Sequence, residues 1–267
     1  MALANFKPTI WRARLLANLH KSHVFANVAN REYEGEIRAF GDTVKISSIG
    51  AVSVSDYTQG SSISYEDLAD ASTKLLIDQQ KYFAFKVEDI DSAQANTNHM
   101  DEAMREASYA LADASDSYLA GLYTDAGITV TEGAFDKDDV YDELTEVKEK
   151  LFEKNVPADM PLWLVVEPSV YKHMLRAEIA TSTDNISTLG QGAVMHTLGF
   201  DVYVSNNLTE NHSVAGTYRS IAFAEQILDT EALRLEDYFA DAVRGLYVYG
   251  GKVIRNDELV DCNWTAS

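Results

Sequence analysis

Cysteine is almost missing from this 267-residue chain. Cys262 stands alone, which excludes an intrachain disulfide and a zinc-thiolate cluster and leaves nothing that requires an oxidising compartment. Proline is confined to Pro8, Pro157, Pro161 and Pro168, so no Pro-rich linker separates the chain into parts. Long apolar runs are lacking too. Arg12, Arg14, Asn18, His20 and Lys21 interrupt any signal-peptide core near the start, and no later run approaches the roughly 20 apolar residues of a membrane helix. Basic charge is scarce: 22 Lys and Arg face 42 Asp and Glu, for a net charge of -20. That balance disfavours nonspecific binding to nucleic acid or to anionic membranes.

What is present is a chain able to bury a sizeable core, 46% hydrophobic and 10% aromatic, sized for one large domain or two intimately connected ones. Its charge is unevenly placed. Residues 1–31 hold Lys7, Arg12, Arg14, Lys21 and Arg31 with no acid, so the remaining residues hold 17 bases against 42 acids and carry -25. A basic segment precedes an acidic body. It is either a solvated basic helix or an arm that crosses a neighbouring subunit.

Ile10, Leu15, Leu16 and Leu19 allow a short amphipathic helix in the basic segment, with Val24 and Phe25 beyond it. Between Asp42 and Glu66 the chain turns polar, with seven serines, two threonines and two glycines around the alternations Val44, Ile46 and Val52, Val54. With Ile63 and Tyr65 beyond "YTQGSS", this predicts a long β-hairpin too poor in large side chains to form its own core. Leu75, Ile77, Phe83, Phe85 and Val87 share one parity and predict a long half-buried strand. After Asn98 the steps Met100, Ala103, Met104, Ala107, Leu111, Ala114, Tyr118 and Leu122 predict a helix to about Tyr123. Val140, Leu144, Val147 and Leu151 predict a second helix, ended at "NVP". Leu162 to Val166 reads as a buried strand, and Pro168 as the start of a helix through Leu175. Phe200, Val202 and Val204 then alternate in a strand, followed by the strands "SIAFA" and "GLYVYGGKVIR". Long helices with noncontiguous strands predict an α+β fold.

Motifs that carry chemistry are weak. In "GLYVYGGKV" the lysine falls one place late for a phosphate loop and Val253 replaces the required hydroxyl, so it reads better as a bulged strand. Gly190 and Gly192 begin a dinucleotide-like spacing, but Met195 stands where its last glycine belongs. His20 and His23 could form one edge of a metal site that lacks further ligands. Glu88, Asp89 and Asp91, and then Asp138 with Asp139, are the best carboxylate clusters, more often solvated strand ends or intersubunit contacts than cation sites. No catalytic residue, cofactor site or metal site is assigned.

The order of these elements, with "GDTVKI", "LLIDQQKYFAFKVEDID", "LVVEPSVYKHML", "HTLGFDVYVSNNL", "SIAFAEQI" and "GLYVYGGKVIR", resembles that of tailed-bacteriophage major capsid proteins with the Hong Kong 97-type fold, over nearly the whole chain. The resemblance implies an N-terminal arm at 1–41, an extended loop at 42–67, and a peripheral domain with a long spine helix at 68–128. It implies an inserted axial domain at 129–222 and return strands of the peripheral domain at 223–267. It further implies a non-enzymatic subunit that closes into pentamers and hexamers, builds an icosahedral shell around double-stranded DNA in the virion, and is made and assembled in the host cytoplasm. Scaffolding, portal and decoration proteins are the other partners it suggests, and no membrane is involved. Arg12, Arg14, Lys21 and Lys45 are the candidate intersubunit contacts. The lysine–asparagine cross-link of some relatives is not carried over, because Lys45 lies at the base of the hairpin and no partner residues match. A cellular nanocompartment shell of the same fold, and a soluble enzyme with scattered site residues, are the alternatives.

Overall fold

Among the described residues, alternating and helical apolar patterns resolve into three sheets and one long helix. The computed structural model describes residues 23–32, 41–49, 59, 70–88, 99–177, 195–235 and 240–266. The described elements are α1 (Phe25–Val28), β1 (Thr43–Ile49), β2 (Asp70–Leu76), β3 (Gln79–Glu88), α2 (His99–Ala120), β4 (Ile128–Phe135), α3 (Val140–Glu153) and β5 (Leu162–Val166). After them come α4 (Pro168–Arg176), β6 (Met195–Thr197), β7 (Phe200–Val204), β8 (His212–Thr217), β9 (Ile221–Arg234), β10 (Ala240–Val253) and β11 (Leu259–Ala266). Short 3-10 turns at Gly121–Asp125 and Asn256–Glu258 lead out of α2 and into β11.

The long β9 and β10 pair antiparallel, with a bulge at Leu246/Tyr247, and β3 pairs with the other edge of β10. Alternate residues of these strands face two different partners, as a period of two requires. Phe223, Tyr247 and Tyr249 join Leu111, Ala112 and Leu119 of α2 in one core, whereas Ala222, Ala224 and Val248 pack with Val44, Ile46, Leu75 and Ile77. The β1–β2 stem therefore lies on the face of the sheet opposite the spine helix. Both layers depend on glycine. A Cβ at Gly250 would fall 2.2 Å from the Leu76 carbonyl oxygen, and one at Gly251 would fall 2.6 Å from Leu119 Cδ2.

The predicted continuous strand from Leu75 to Val87 is two strands. β2 pairs with β1 and β3 with β10, and the chain changes sheets at Ile77 and Asp78, where Ile77 exchanges backbone hydrogen bonds with Gly41 and Asp42. The return strand of the hairpin is thus 70–76, while Val52, Val54, Ile63 and Tyr65 lie outside the described residues.

The spine also differs in detail. Its buried face runs through Met104, Ser108, Leu111, Ala112, Ser115, Asp116, Leu119 and Ala120, while Ala103, Ala107, Ala114 and Tyr118 flank it half-buried. Ser108 and Ser115 hide their hydroxyls by donating to the carbonyls of Met104 and Ala112 one turn back.

The six-stranded sheet runs β4-β11-β8-β5-β7-β6. One face, with Leu162, Leu164, Phe200, Val202 and Val260, is covered by Val140, Leu144, Val147 and Leu151 of α3 and by Val170 and Met174 of α4. From its other face Trp163, Val165 and Val214 join the core around α2. β11, within the 223–267 span expected to return to the peripheral sheet, pairs with β4 and β8 and not with β9 and β10. Its alternation sends Val260, Cys262 and Trp264 into the core beneath α3 and α4, and Leu259 into the core around α2.

Candidate assembly interface

Residues 23–31, within the predicted arm of 1–41, are nailed down by a buried cluster of charges. α1 is a single turn, too short to hold itself, and Phe25, Ala26 and Val28 sink into the core around α2. Just before it, Asp116 of α2 accepts the backbone N–H of Val24 at 2.6 Å and of Ala26 at 3.3 Å, and its Oδ1 lies 3.2 Å from His23 Nδ1. On the other side of the imidazole, Nε2 lies 3.3 Å from Glu225 Oε2, at ion-pair distance but without hydrogen-bond alignment. Glu225 also pairs with Arg31 and accepts the hydroxyl of Tyr247. Asn30 then bridges to the start of β9, donating to Ile221 O at 2.8 Å and accepting from Phe223 N at 2.9 Å.

This arrangement decides the protonation states. Burial alone would push the His23 pKa down, but the carboxylates of Asp116 and Glu225 outweigh it and raise it to about 9. Burial would push Glu225 up, but His23, Arg31 and the Tyr247 hydroxyl hold it down at about 2. Burial beside Glu225 keeps the Tyr247 phenol protonated and donating. Two basic and two acidic side chains thus meet in one cluster that is buried at His23, Asp116 and Glu225 and reaches the surface at Arg31.

Sequence reasoning placed His23 at a possible metal edge and missed Asp116 and Glu225. The available signal was an acid inside the apolar strand "SIAFAEQI". His20 lies outside the described residues, and among those described no group of three His, Cys, Asp or Glu side chains is arranged for a metal.

Of the four candidate contacts, Arg12, Arg14 and Lys21 lie outside the described residues. Lys45 is exposed on β1, in register with Lys74 of β2, so the stem presents two lysines side by side. The glycines of "GLYVYGGKV" belong to β10, with Lys252 exposed near its end, and form no phosphate loop. Gly190, Gly192, Asp89 and Asp91 lie outside the described residues. Asp139 accepts the Asp136 N–H at 3.0 Å and Asp138 pairs with Lys137 at 2.8 Å, so these acids shape the turn into α3. Among the described residues no helix is long and apolar enough to cross a membrane.

A long spine helix against a three-stranded sheet, a hairpin stem laid across that sheet and a second, helix-covered sheet define a Hong Kong 97-type shell subunit. Residues 50–260 match the family model described as phage capsid protein, and the chain belongs to that family as a major capsid protein. A solved chain of Mycobacterium phage Che8 is 34% identical, with a TM-score of 0.73 over 90% of this chain and 91% of its own. The capsid of cyanophage P-SCSP1u gives a TM-score of 0.72 at 14% identity, covering 92% of this chain and 89% of that one. A virus-like particle from Pyrococcus furiosus gives 0.61 at 13% identity, covering 96% and 98%, a likeness of fold alone. No curated protein matches the sequence.

Proposed function

We propose that this major capsid protein closes into pentamers and hexamers that build an icosahedral shell around double-stranded DNA in the virion, after synthesis and assembly in the host cytoplasm. The observation that carries the reading is the 34% identity to a phage chain over nine-tenths of the length. In this reading the half built on the six-stranded sheet is the axial domain and includes β11. The half built on α2, β3, β9 and β10 is the peripheral domain. The basic segment with Arg12, Arg14 and Lys21, and the stem carrying Lys45 and Lys74, meet acidic surfaces of neighbouring copies. Charge supports this, since the residues after 31 carry -25. The same acidity suits a wall that must not bind the packaged DNA tightly. The role is structural, not catalytic, and scaffolding, portal and decoration proteins are the expected partners.

Negative-stain microscopy and sedimentation of the expressed protein, alone and with the products of neighbouring genes, test the reading. Closed shells that take up DNA only with portal and packaging proteins are expected. A species that stops at a small oligomer in every condition overturns it, and shells enclosing a tagged cargo enzyme favour a cellular compartment instead.

A further inference from the structure

We propose that the cluster of His23, Asp116, Glu225 and Arg31 is a pH-gated clamp on the root of the N-terminal segment, holding residues 23–31 in one course over α2 and the edge of β9. The geometry explains why charge is needed. One carboxylate, Asp116, serves two backbone donors and the imidazole, and a second, Glu225, lies between the imidazole and Arg31. Among the described residues the groups facing His23 are Asp116 and Ser115 from α2, Glu225 and the Phe223 ring from β9, with Tyr247 from β10 and Arg31 of its own segment around Glu225. With the imidazole charged, these groups sum to zero. When it loses its proton, Nδ1 can still donate to Asp116, but the Nε2 lone pair then faces Glu225 Oε2 at 3.3 Å and a net negative charge stays buried.

The sign follows from the raised value at His23. The contribution is complete below the ordinary value of 6.5 and is lost as pH rises through about 9. On the acid side Glu225 contributes fully above its ordinary value of 4.5 and loses that contribution as pH falls towards about 2. The clamp is therefore tightest between pH 4.5 and 6.5. The body keeps its own anchors, since Leu111, Leu119, Phe223 and Tyr249 pack around α2 without the cluster. What the clamp controls is the course of the root. The consequence for assembly rests on the shell reading above, and the clamp itself does not.

Residue-resolved hydrogen exchange on unassembled subunits, corrected for the intrinsic pH effect, tests it with wild type, His23→Gln and Glu225→Gln. Protection at Val24, Ala26 and Asn30 should fall about tenfold or more between pH 6 and pH 9.5 in wild type, while Val248 and Tyr249 of β10 hold theirs. His23→Gln should show the weak protection already at pH 6 and little change above it. Root amides in wild type that ignore pH, or that open only together with β10, overturn the clamp even if neither variant folds. Light scattering then follows assembly: a variant with a released root that assembles as wild type does overturns any part of the clamp in assembly. Wild type that forms no particles overturns the shell reading instead, so the two failures are distinguishable.

Discussion

The indole N–H of Trp264 donates to Glu143 Oε2 at 3.0 Å, tying the final strand to helix α3 beneath the surface. Trp264 also stacks on Phe135 with ring centroids 5.0 Å apart. Trp264→Phe preserves most of the stacking area but leaves the buried carboxylate without its donor. Such a loss costs about 1–3 kcal/mol, so the midpoint of urea unfolding should drop with little change in slope. An unchanged midpoint would show that water replaces the indole and that the bond contributes nothing.

Glu143 itself should make stability pH-dependent. Burial raises its pKa, the Trp264 bond offsets part of that, and Glu146, Glu132 and Asp139 add to the rise. The folded state therefore keeps this proton to higher pH than the unfolded chain, so the associated stability is full below the ordinary value of 4.5 and is lost as pH rises through the raised value. Glu143→Gln keeps an acceptor for Trp264 and removes the charge. It should unfold at higher urea than wild type at pH 7, with the gap shrinking below pH 4.5; an equal gap at both pH values would contradict the assignment.

The spine separates two alanines that look alike in sequence. Ala112 is 1% exposed and lies in the core with Leu111 and Phe223, whereas Ala107 sits on the flank of the buried face. Ala112→Arg would bury an unpaired charge and should abolish soluble folding. Ala107→Arg can turn its long side chain to solvent and should cost about 1 kcal/mol or less in thermal or urea unfolding. Equal solubility of both variants would show the helix rotated from its observed face.

Much of this was legible in the residues, and what was not has definite causes. Helix α3 and strand β5 follow directly from their patterns, since Val140, Leu144, Val147, Leu151 and every residue of 162–166 are buried. The face of α2 was read a step off because its buried side includes Ser108, Ser115 and Asp116, which a search for apolar residues passes over. Alternation in β11 gives two faces but no sheet partner, so pairing with β4 and β8 could not be inferred from 259–266 alone. The charge cluster was illegible for a similar reason: His23, Asp116 and Glu225 are far apart in the chain and meet only once α2 packs on β9 and β10.

Gly250 should be among the least replaceable positions. Because a Cβ there would lie 2.2 Å from the Leu76 carbonyl oxygen and 3.0 Å from Ile77 Cα, backbone must move to admit even alanine. Gly250→Ala should lift the β1–β2 stem from Val248 and lower the unfolding free energy by about 1–3 kcal/mol, as overpacking does. Hydrogen exchange should show the loss first at Ile77, whose N–H donates to Asp42 O at 3.0 Å. Undiminished protection there would mean that the sheet bends instead of the stem.

The basic segment offers the sharpest test of contact between copies. Exposed ion pairs contribute roughly 0–1 kcal/mol each, yet a shell repeats every contact in all its subunits, so small energies add up to large shifts in assembly. Reversing Arg12, Arg14 and Lys21 together to glutamate keeps every residue of the His23 cluster, and circular dichroism should show a normally folded body. Assembly should then need higher protein concentration. Added salt should weaken wild-type assembly by screening attraction, and should partly rescue the triple variant by screening its new repulsion against the acidic body. Light scattering across a salt series reads both responses. If the triple variant assembles like wild type at every salt concentration, the segment is a solvated basic helix with no part in joining subunits.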